Sequence, residues 1–283
     1  MNRRWRAVSA GVHGRLPAAV VAVIAVLAAV PAAGCGTPVE LPPTGAAWDY
    51  QLGGAYPPDP DVEVVVRDVS APAPEQYGVC YLNAFQTQPG ALATWRSDHP
   101  GLLLRDEAGD LVRDPAWPDE AILDLGSREN RAVLVDLLSQ DVDECARRGH
   151  EAVELDNLDS WTRSGGAFGP EEAMTVAVAV AAQARRHGLA VGQKNASDLL
   201  GRADLGAAFD FAVVEECARY DECDDYRDVY GDRVLQVEYA DAPGAERAFR
   251  AACRDGELSP GALLRDRDLV PAGDPGHLLR RCG

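Results

Sequence analysis

The chain is almost without lysine: of its 27 basic residues, 26 are arginine and one, Lys194, is lysine. Its five histidines are scattered and no CxxC pair occurs, which argues against a zinc site. No glycine-rich phosphate loop opens a helical segment, which argues against a nucleotide-binding open sheet. The acidic run at 221–228 lacks the glycine and closing glutamate of an EF-hand. We therefore predict no metal site.

Positive charge is also scarce, since 27 basic residues face 45 acidic ones and the net charge is −18. The first 34 residues contain four arginines and no acidic residue, so their removal would leave 249 residues with a charge of −22. Such an acidic protein is a poor ligand for nucleic acid or anionic lipid and suits a cationic or neutral partner. The same charge also serves solubility, and composition leaves both interpretations open.

Residues 1–34 have the pattern of an export signal. The arginines precede the apolar run LPAAVVAVIAVLAAV, and small residues lead to Cys35 in PAAGCG, as in secretory signals. A cysteine at this position resembles the lipidated cysteine of bacterial lipoproteins. We predict a signal at 1–34, lipidation of Cys35 and a flexible tether at 35–46. The exported, lipidated protein would be held at the bacterial cell surface. The alternatives are plain secretion of the cleaved protein and a retained membrane anchor.

The remaining cysteines are even in number, which in an exported chain predicts three disulfides. They are Cys80, Cys145, Cys217, Cys223, Cys253 and Cys282. Six cysteines allow fifteen pairings. Cys217 with Cys223 would close a short loop and Cys253 with Cys282 would hold the C-terminal tail, which leaves Cys80 with Cys145.

Short apolar runs recur from residue 48 onward, and helical patterns separate the later ones. The strand candidates are 48–52, 62–69, 78–84, 121–126, 152–157, 190–195, 211–216 and 234–240. The helix candidates are 128–149, 170–188 and 245–253. Eight strands alternating with helices predict a single-domain (β/α)8 TIM barrel over 47–283, with a doubly wound sheet as the alternative. The first two strands lie too close together for a helix, so the barrel would be irregular there.

Several strand candidates end in ionisable groups, as in ELDNLD, GQKN, VVEE and QVEY. In a barrel these carboxyl ends meet at one mouth, where catalytic groups lie. Alternation places Glu154 and Asp156 on one face and separates Glu215 from Glu216. Carboxylates from different strands can catalyse glycosidic cleavage. The single lysine, Lys194, stands at such a strand end as a charge partner or hydrogen-bond donor, with a Schiff base as an alternative.

The segments ELDNLDSW, GLAVGQKNA, FDFAVVEECARYDEC and VLQVEYAD, in this order, resemble glycoside hydrolase family 114, the endo-α-1,4-polygalactosaminidases. WDYQLGG, VVVRDV and GVCYLNA extend the resemblance over residues 48–241. It implies a TIM-barrel enzyme that cleaves α-1,4-linked galactosamine polymers without cofactor or metal. The acidic chain would suit a cationic amino-sugar polysaccharide, and we expect a monomer.

The resemblance also implies site residues. The family's catalytic Asp and Glu fall on Asp156 and Glu215, with Glu216 as the rival of Glu215. By analogy with other barrels Asp156 would be the nucleophile and Glu215 the acid/base, although the sequence does not fix which carboxylate takes which role. The residues expected to bind substrate are Asp159, Lys194, Asn195, Glu238, Tyr239, Tyr81, Asp124 and Trp161. Glu154 could instead be a buried partner of Lys194. By analogy with other α-galactoside barrels we expect retention.

One departure from the family lies after the third strand, where this chain has Asn83, Ala84 and Phe85. Phe85 in place of a small residue could narrow the mouth and alter specificity. A non-catalytic carbohydrate-binding lipoprotein on a degenerate barrel is therefore the second hypothesis. A lyase or aldolase that uses Lys194 as a Schiff base is the third.

Overall fold

A computed structural model describes Gly11 and residues 38–282 of the chain. The predicted export signal and Cys35 lie outside the described residues. Within the described part, no helix combines the length and the apolar character needed to cross a membrane. Residues 38–282 contain seven of the eight predicted strands and all three predicted helices, together with two strands and four short α-helices that were not predicted.

Nine strands form one sheet in which neighbours in sequence are neighbours in space. The strands are β1 (Trp48–Gln51), β2 (Val64–Asp68), β3 (Tyr77–Asn83), β4 (Ala152–Asp156), β5 (Ala190–Lys194), β6 (Phe211–Glu215), β7 (Val234–Tyr239), β8 (Leu263–Arg265) and β9 (Leu279–Arg281). The first eight run parallel, and β9 pairs antiparallel with β8. This is a TIM-barrel-like fold, as predicted.

Helices follow β3 to β7. β1 and β2 are joined without a helix, as their spacing predicts, and so are β2 and β3 and β8 and β9. The helices are α1 (Leu92–Asp98), α2 (Arg128–Arg148), α3 (Pro170–Arg186), α4 (Leu205–Ala208), α5 (Cys217–Tyr220), α6 (Cys223–Tyr230) and α7 (Ala245–Asp255). Capping explains the ends of the longest one. Ser127 accepts a hydrogen bond from Asn130 N at the start of α2, and Gly149 adopts φ = 94° at its end, where a side chain would be strained.

The predicted strand at 121–126 is wrong. Its residues form only isolated antiparallel bridges, with Gln86, Leu103 and Arg113, inside a long excursion between β3 and α2. The eighth parallel strand is instead β8, which together with β9 was not predicted. Both have only three residues, too few for alternation to be recognised.

Two apolar layers hold the fold together. One lies between the sheet and helices α2 and α3, and the other fills the interior of the curled sheet. Inside, every second residue of a strand points inward, so Ala190, Gly192 and Lys194 of β5 form a column. A Cβ on Gly192 would lie 2.7 Å from the Phe211 ring. Glycine there lets Phe211 fill the space beneath Lys194.

The two edges of the sheet, β1 and β9, meet through side chains rather than through a backbone ladder. Arg265 of β8 is fully buried and donates to the Tyr50 carbonyl and to Asp49 Oδ1, at 3.3 Å for the latter. Arg281 of β9 donates to the Trp48 carbonyl at 3.2 Å. Two arginines thus close the curled sheet.

The structure contains the three predicted disulfides, Cys80–Cys145, Cys217–Cys223 and Cys253–Cys282. The described part of the predicted tether lies against the amino-terminal ends of the strands. Tyr77 Oη donates to the Glu40 carbonyl at 2.7 Å, and Gly45 N donates to the Asp232 carbonyl at 2.9 Å. The domain boundaries at 34 and 46 stay predictions.

Candidate active site

The carboxyl ends of the parallel strands surround a cavity of about 750 Å³. Inward-pointing residues at the ends of β3 to β7 form its floor: Tyr81, Asp156, Lys194, Glu215 and Tyr239. All five were predicted as site residues, and alternation along the strands brings them to one level of the barrel.

Lys194 lies at the centre of this floor with only 3% of its side chain exposed. Its ammonium is 3.0 Å from Asp156 Oδ1, 3.2 Å from Glu154 Oε1 and 3.4 Å from Glu215 Oε2. It also donates to Tyr50 Oη at 3.0 Å. Burial alone would lower the pKa of Lys194, but the surrounding carboxylates, with Asp156 the strongest, raise it well above its usual value. Lys194 is therefore a permanent cation.

Asp156 and Glu215 are each held by a tyrosine as well as by Lys194. Tyr81 Oη donates to Asp156 Oδ2 at 2.5 Å, and Tyr239 Oη donates to Glu215 Oε1. Burial, reinforced by the adjacent carboxylate in each case, raises the pKa of both tyrosines well above the usual value. Both phenols therefore stay protonated as donors.

The shared lysine limits the separation of the two carboxylates. Asp156 Oδ1 and Glu215 Oε2 can be no farther apart than the sum of their distances to Nζ, 6.4 Å. For an ammonium with tetrahedral donors the separation would be about 5 Å. The two groups thus lie on the same cavity floor and can reach one bond of a bound substrate.

Asn195 orders Glu215 from the neighbouring strand. Its Oδ1 accepts from Glu215 N at 2.8 Å and its Nδ2 donates to Glu215 Oε2 at 3.2 Å. Glu216, the rival of Glu215, also borders the cavity but forms ion pairs with Arg219 and Arg267 at 2.9 Å and 3.1 Å. Hydrogen bonding to these arginines, against a burial effect, lowers the pKa of Glu216.

Strained backbone is concentrated at this mouth. Among the described residues, six other than glycine have positive φ, and four of them follow β4, β5 and β6: Asn157, Asn195, Ala196 and Glu216. Asparagine tolerates this conformation, whereas alanine and glutamate adopt it at a cost. The strain lies where the strand ends turn Asp156, Lys194 and Glu215 toward the cavity.

Glu154 is fully buried beneath the floor, where it accepts from Tyr50 Oη at 2.9 Å and pairs with Lys194. Its second oxygen, Oε2, is buried without a hydrogen-bond partner. Burial raises the pKa of Glu154 to about 7, although Lys194 acts to lower it. Glu154 therefore supports Lys194 from below and does not face the substrate.

The other predicted substrate-binding residues divide into two groups. Asp159 and Trp161 line the cavity. Glu238 does not: it points away, next to Tyr239 on the strand, and accepts from Gln236 Nε2 at 2.8 Å and Ala218 N at 3.1 Å. Asp124 also lies outside the cavity lining and accepts from Gly126 N at 2.8 Å and Asn130 Nδ2 at 3.1 Å.

The departure at 83–85 has a different effect from the one expected. Phe85 is fully buried in the layer beneath the helices and does not narrow the mouth. Asn83 instead donates to Glu120 Oε2 at 3.0 Å and accepts from Asn157 Nδ2 at 2.9 Å. Sequence reasoning missed Glu120 and Tyr50 as site residues, since neither belongs to a recognised motif and Glu120 lies in the long excursion.

Among the described residues, the candidate metal cluster is Cys217, Cys223 and Glu238. The two cysteines form a disulfide, so they offer no thiolate and the cluster does not fit a metal ion.

Comparison with known proteins gives the following matches. The family model for glycoside-hydrolase family GH114 matches residues 28–283. The structure of Aspergillus fumigatus Ega3 in complex with galactosamine is 21% identical, with a TM-score of 0.66, and the match covers 88% of this chain and all of Ega3. The glycoside hydrolase domain of PelA from Pseudomonas aeruginosa is 18% identical with a TM-score of 0.54, over 81% of this chain and 97% of that domain. A search of curated protein sequences found no match.

Proposed function

The chain belongs to glycoside hydrolase family GH114, and from this premise we propose that it hydrolyses α-1,4-linked galactosamine-containing polysaccharide with Asp156 and Glu215 as its catalytic pair. The observation that carries the proposal is that these carboxylates, from two different strands, share one buried ammonium on a cavity floor. Paired carboxylates in such a position are the general machinery of glycoside hydrolysis.

The mechanism we infer is double displacement. Protonated Glu215 gives its proton to the glycosidic oxygen as the bond to the anomeric carbon breaks, and Asp156 attacks that carbon to form a glycosyl ester. Glu215, now ionised, takes a proton from water, which attacks the same carbon and releases Asp156. The two oxygens that face Lys194 lie at most 6.4 Å apart, which is compatible with the roughly 5–5.5 Å between the carboxyl groups of retaining enzymes.

Lys194 serves as the counter-ion of this cycle. It pairs with Asp156 while Asp156 is ionised, and with Glu215 when negative charge resides there after the first step. Its raised pKa argues against the Schiff-base hypothesis, because a permanently protonated amine cannot attack a carbonyl.

The charges of the cavity favour a cationic sugar. Ten carboxylate side chains line it, against three cations, Lys194, Arg163 and Arg267. Each cation is already paired: Arg163 with Asp159 and Asp114, and Arg267 with Glu216 and Asp241. Net negative charge therefore remains for the ammonium groups of unacetylated galactosamine.

The test is release of reducing ends from α-1,4-linked polygalactosamine. We expect activity in the wild type and a loss of at least about 1,000-fold in Asp156→Asn and Glu215→Gln, because each removes a group that acts in the transition state. Glu107→Gln, at an exposed position outside the cavity lining, is the matched control and should retain activity. Proton NMR of the first product should show the α anomer; a β anomer would contradict retention.

The non-catalytic alternative predicts binding of the same polymer without turnover. Its motive was a mouth narrowed by Phe85, and Phe85 is buried away from the cavity. Binding by the wild type with no release of reducing ends from any α-linked amino-sugar polymer would nevertheless favour it.

We further propose that the protein is exported, with Cys35 as the site of a lipid anchor. The three disulfides support export, because such bonds persist in oxidising compartments.

A further inference from the structure

A loop in the excursion between β3 and α2 borders the cavity beside the carboxyl ends of β3 and β4. We call residues 114–120, DPAWPDE, the 114–120 loop. Four of its residues line the cavity: Asp114, Ala116, Trp117 and Glu120. Trp117 and Glu120 take no part in the mechanism above, and the family motifs include neither.

Asp114 ties the loop to itself and to its surroundings through four contacts. Its Oδ1 accepts from Ala116 N at 2.8 Å and Trp117 N at 3.3 Å. Its Oδ2 accepts from Gln86 Nε2 at 2.9 Å and pairs with Arg163 Nε at 2.9 Å. The loop is therefore preorganised, which lowers the entropy cost of binding a ligand.

Glu120 is 7% exposed, yet among the described residues it forms no ion pair. Its Oε2 accepts from Asn83 Nδ2 at 3.0 Å and Asn157 Nδ2 at 3.4 Å. Within the described residues its Oε1 accepts no hydrogen bond. Burial and the nearby Asp156 and Asp114 raise the pKa of Glu120 to about 7, against the hydrogen bond from Asn83 and the weaker attraction of Arg163, which is already paired with Asp114 and Asp159. A carboxylate this buried requires a positive partner to be stable as an anion.

Trp117 supplies an apolar surface beside that carboxylate. Its side chain is 46% exposed although it belongs to the cavity wall. A single exposed tryptophan needs no explanation by itself, but here Glu120 N donates to the Trp117 carbonyl at 2.9 Å and both residues line the same cavity. An aromatic ring can pack against the C–H surface of an amino sugar, and a carboxylate can accept hydrogen bonds from its ammonium.

We propose that the 114–120 loop forms a second sugar subsite that binds an unacetylated amino-sugar residue of the polymer, with Glu120 receiving the ammonium and Trp117 packing against the ring. The inference rests on the proposed function for the identity of the polymer. Asn157 links the two sites, because it donates to Glu120 and directly follows Asp156 in sequence.

The test is calorimetric binding of α-1,4-galactosamine oligomers to proteins that also carry Asp156→Asn, so that binding is measured without turnover. We expect Glu120→Gln to weaken binding about 10- to 100-fold, the range for loss of a charge-assisted hydrogen bond. The same change should have little effect on N-acetylated oligomers, which carry no ammonium. Trp117→Ala should weaken binding of both oligomers, and Glu107→Gln should change neither.

Glu120→Asp separates a binding role from a folding role. It retains the charge, so it should keep more affinity for the amino oligomer than Glu120→Gln at equal thermal stability. Unchanged affinity in Glu120→Gln, or equal losses for amino and N-acetylated oligomers, would overturn the subsite while leaving the catalytic proposal intact. Glu120-dependent binding by a wild type that releases no reducing ends would support the subsite and overturn the catalytic proposal.

Discussion

At the scale of single residues, the site is organised by one ammonium that several carboxylates share. A buried cation without partners would be very unfavourable, and a buried cluster of carboxylates without a cation equally so. Lys194 and its three acidic neighbours resolve both problems together. The compact ammonium suits this position better than a planar guanidinium, because its donors point in several directions.

Glu154 leads to a prediction about pH and stability. Its pKa is about 7 in the folded protein, raised by burial above the usual 4.5. The folded state therefore binds a proton that the unfolded state releases, so this group lowers stability progressively as pH rises from about 4.5 to about 7. Glu154→Gln should remove that decline. Urea unfolding of both proteins across this pH range measures it.

The comparison contradicts this assignment if the stability curves of wild type and Glu154→Gln run parallel between pH 4.5 and pH 7. His150 should change stability with pH in the direction opposite to Glu154. Burial, aided by Arg67 and Arg148, lowers its pKa to about 4, so its contribution falls as pH drops below about 6.5 and should persist in Glu154→Gln.

Sequence alone identified most of the floor, and its omissions have a physical reason. Lys194 was recognisable because it is the sole lysine in an arginine-rich chain, and Asp156 because it ends a strand. Glu120 could not be placed, since its contact with Asn157 joins positions 37 residues apart through an irregular loop. Glu238 was misplaced because only the register of β7 decides that Tyr239, not Glu238, points inward.

At the scale of elements, removing one disulfide should reduce stability more, and removing another should reduce activity more. Cys80–Cys145 joins β3 to α2 across 65 residues, whereas Cys217–Cys223 spans six residues just after β6. Chain entropy predicts losses of roughly 4 and roughly 2 kcal/mol on removal. The short one adjoins Glu215 and Glu216, so its loss should reduce activity more.

Paired Cys→Ser variants of each disulfide, compared by urea unfolding and by kcat on the polymer, measure these effects. The Cys253–Cys282 pair at the C-terminal tail is the matched control, distant in sequence from the catalytic strand ends. A fully active Cys217→Ser/Cys223→Ser protein would show that α5 and α6 need no covalent constraint to hold Glu215 in place.

Helices α2, α3 and α7 and most strands were predicted because their patterns are long, whereas the short helices α1, α4, α5 and α6 were not predicted. The 121–126 run was misassigned because a short apolar run bounded by turns has the same pattern in a barrel strand and in a buried loop. β8 was missed because it has only three residues, and its pairing with β7 and β9 depends on tertiary contacts that so short a sequence does not reveal.

At the scale of the whole molecule, the export proposal makes a prediction about the mature protein. Cleavage before Cys35 with lipidation should give a membrane-bound form whose N-terminal peptide carries the added mass of the lipid. Cys35→Ser should release the protein from the membrane fraction with its three disulfides intact. Mass spectrometry of the N-terminal peptide and fractionation of cells test this, and a mature N-terminus elsewhere would contradict it.

The fold class was predictable as a whole, whereas the closure of the barrel was not. Eight parallel strands separated by helices leave few topologies, and the spacing of the early strands foretold irregularity. The sequences of β8 (LLR) and β9 (LRR) do not indicate that Arg265 and Arg281 would contact β1. Such contacts join residues more than 200 positions apart.

Because the chain has one lysine, proteolysis at that residue can measure unfolding. A lysine-specific endoprotease has one bond to cut in these 283 residues, and that bond follows a side chain enclosed at the centre of the barrel. Cleavage therefore requires the strand ends to separate, and its rate measures how often they do so. Two fragments of fixed size, one ending at residue 194, would record each opening without any label or engineered site.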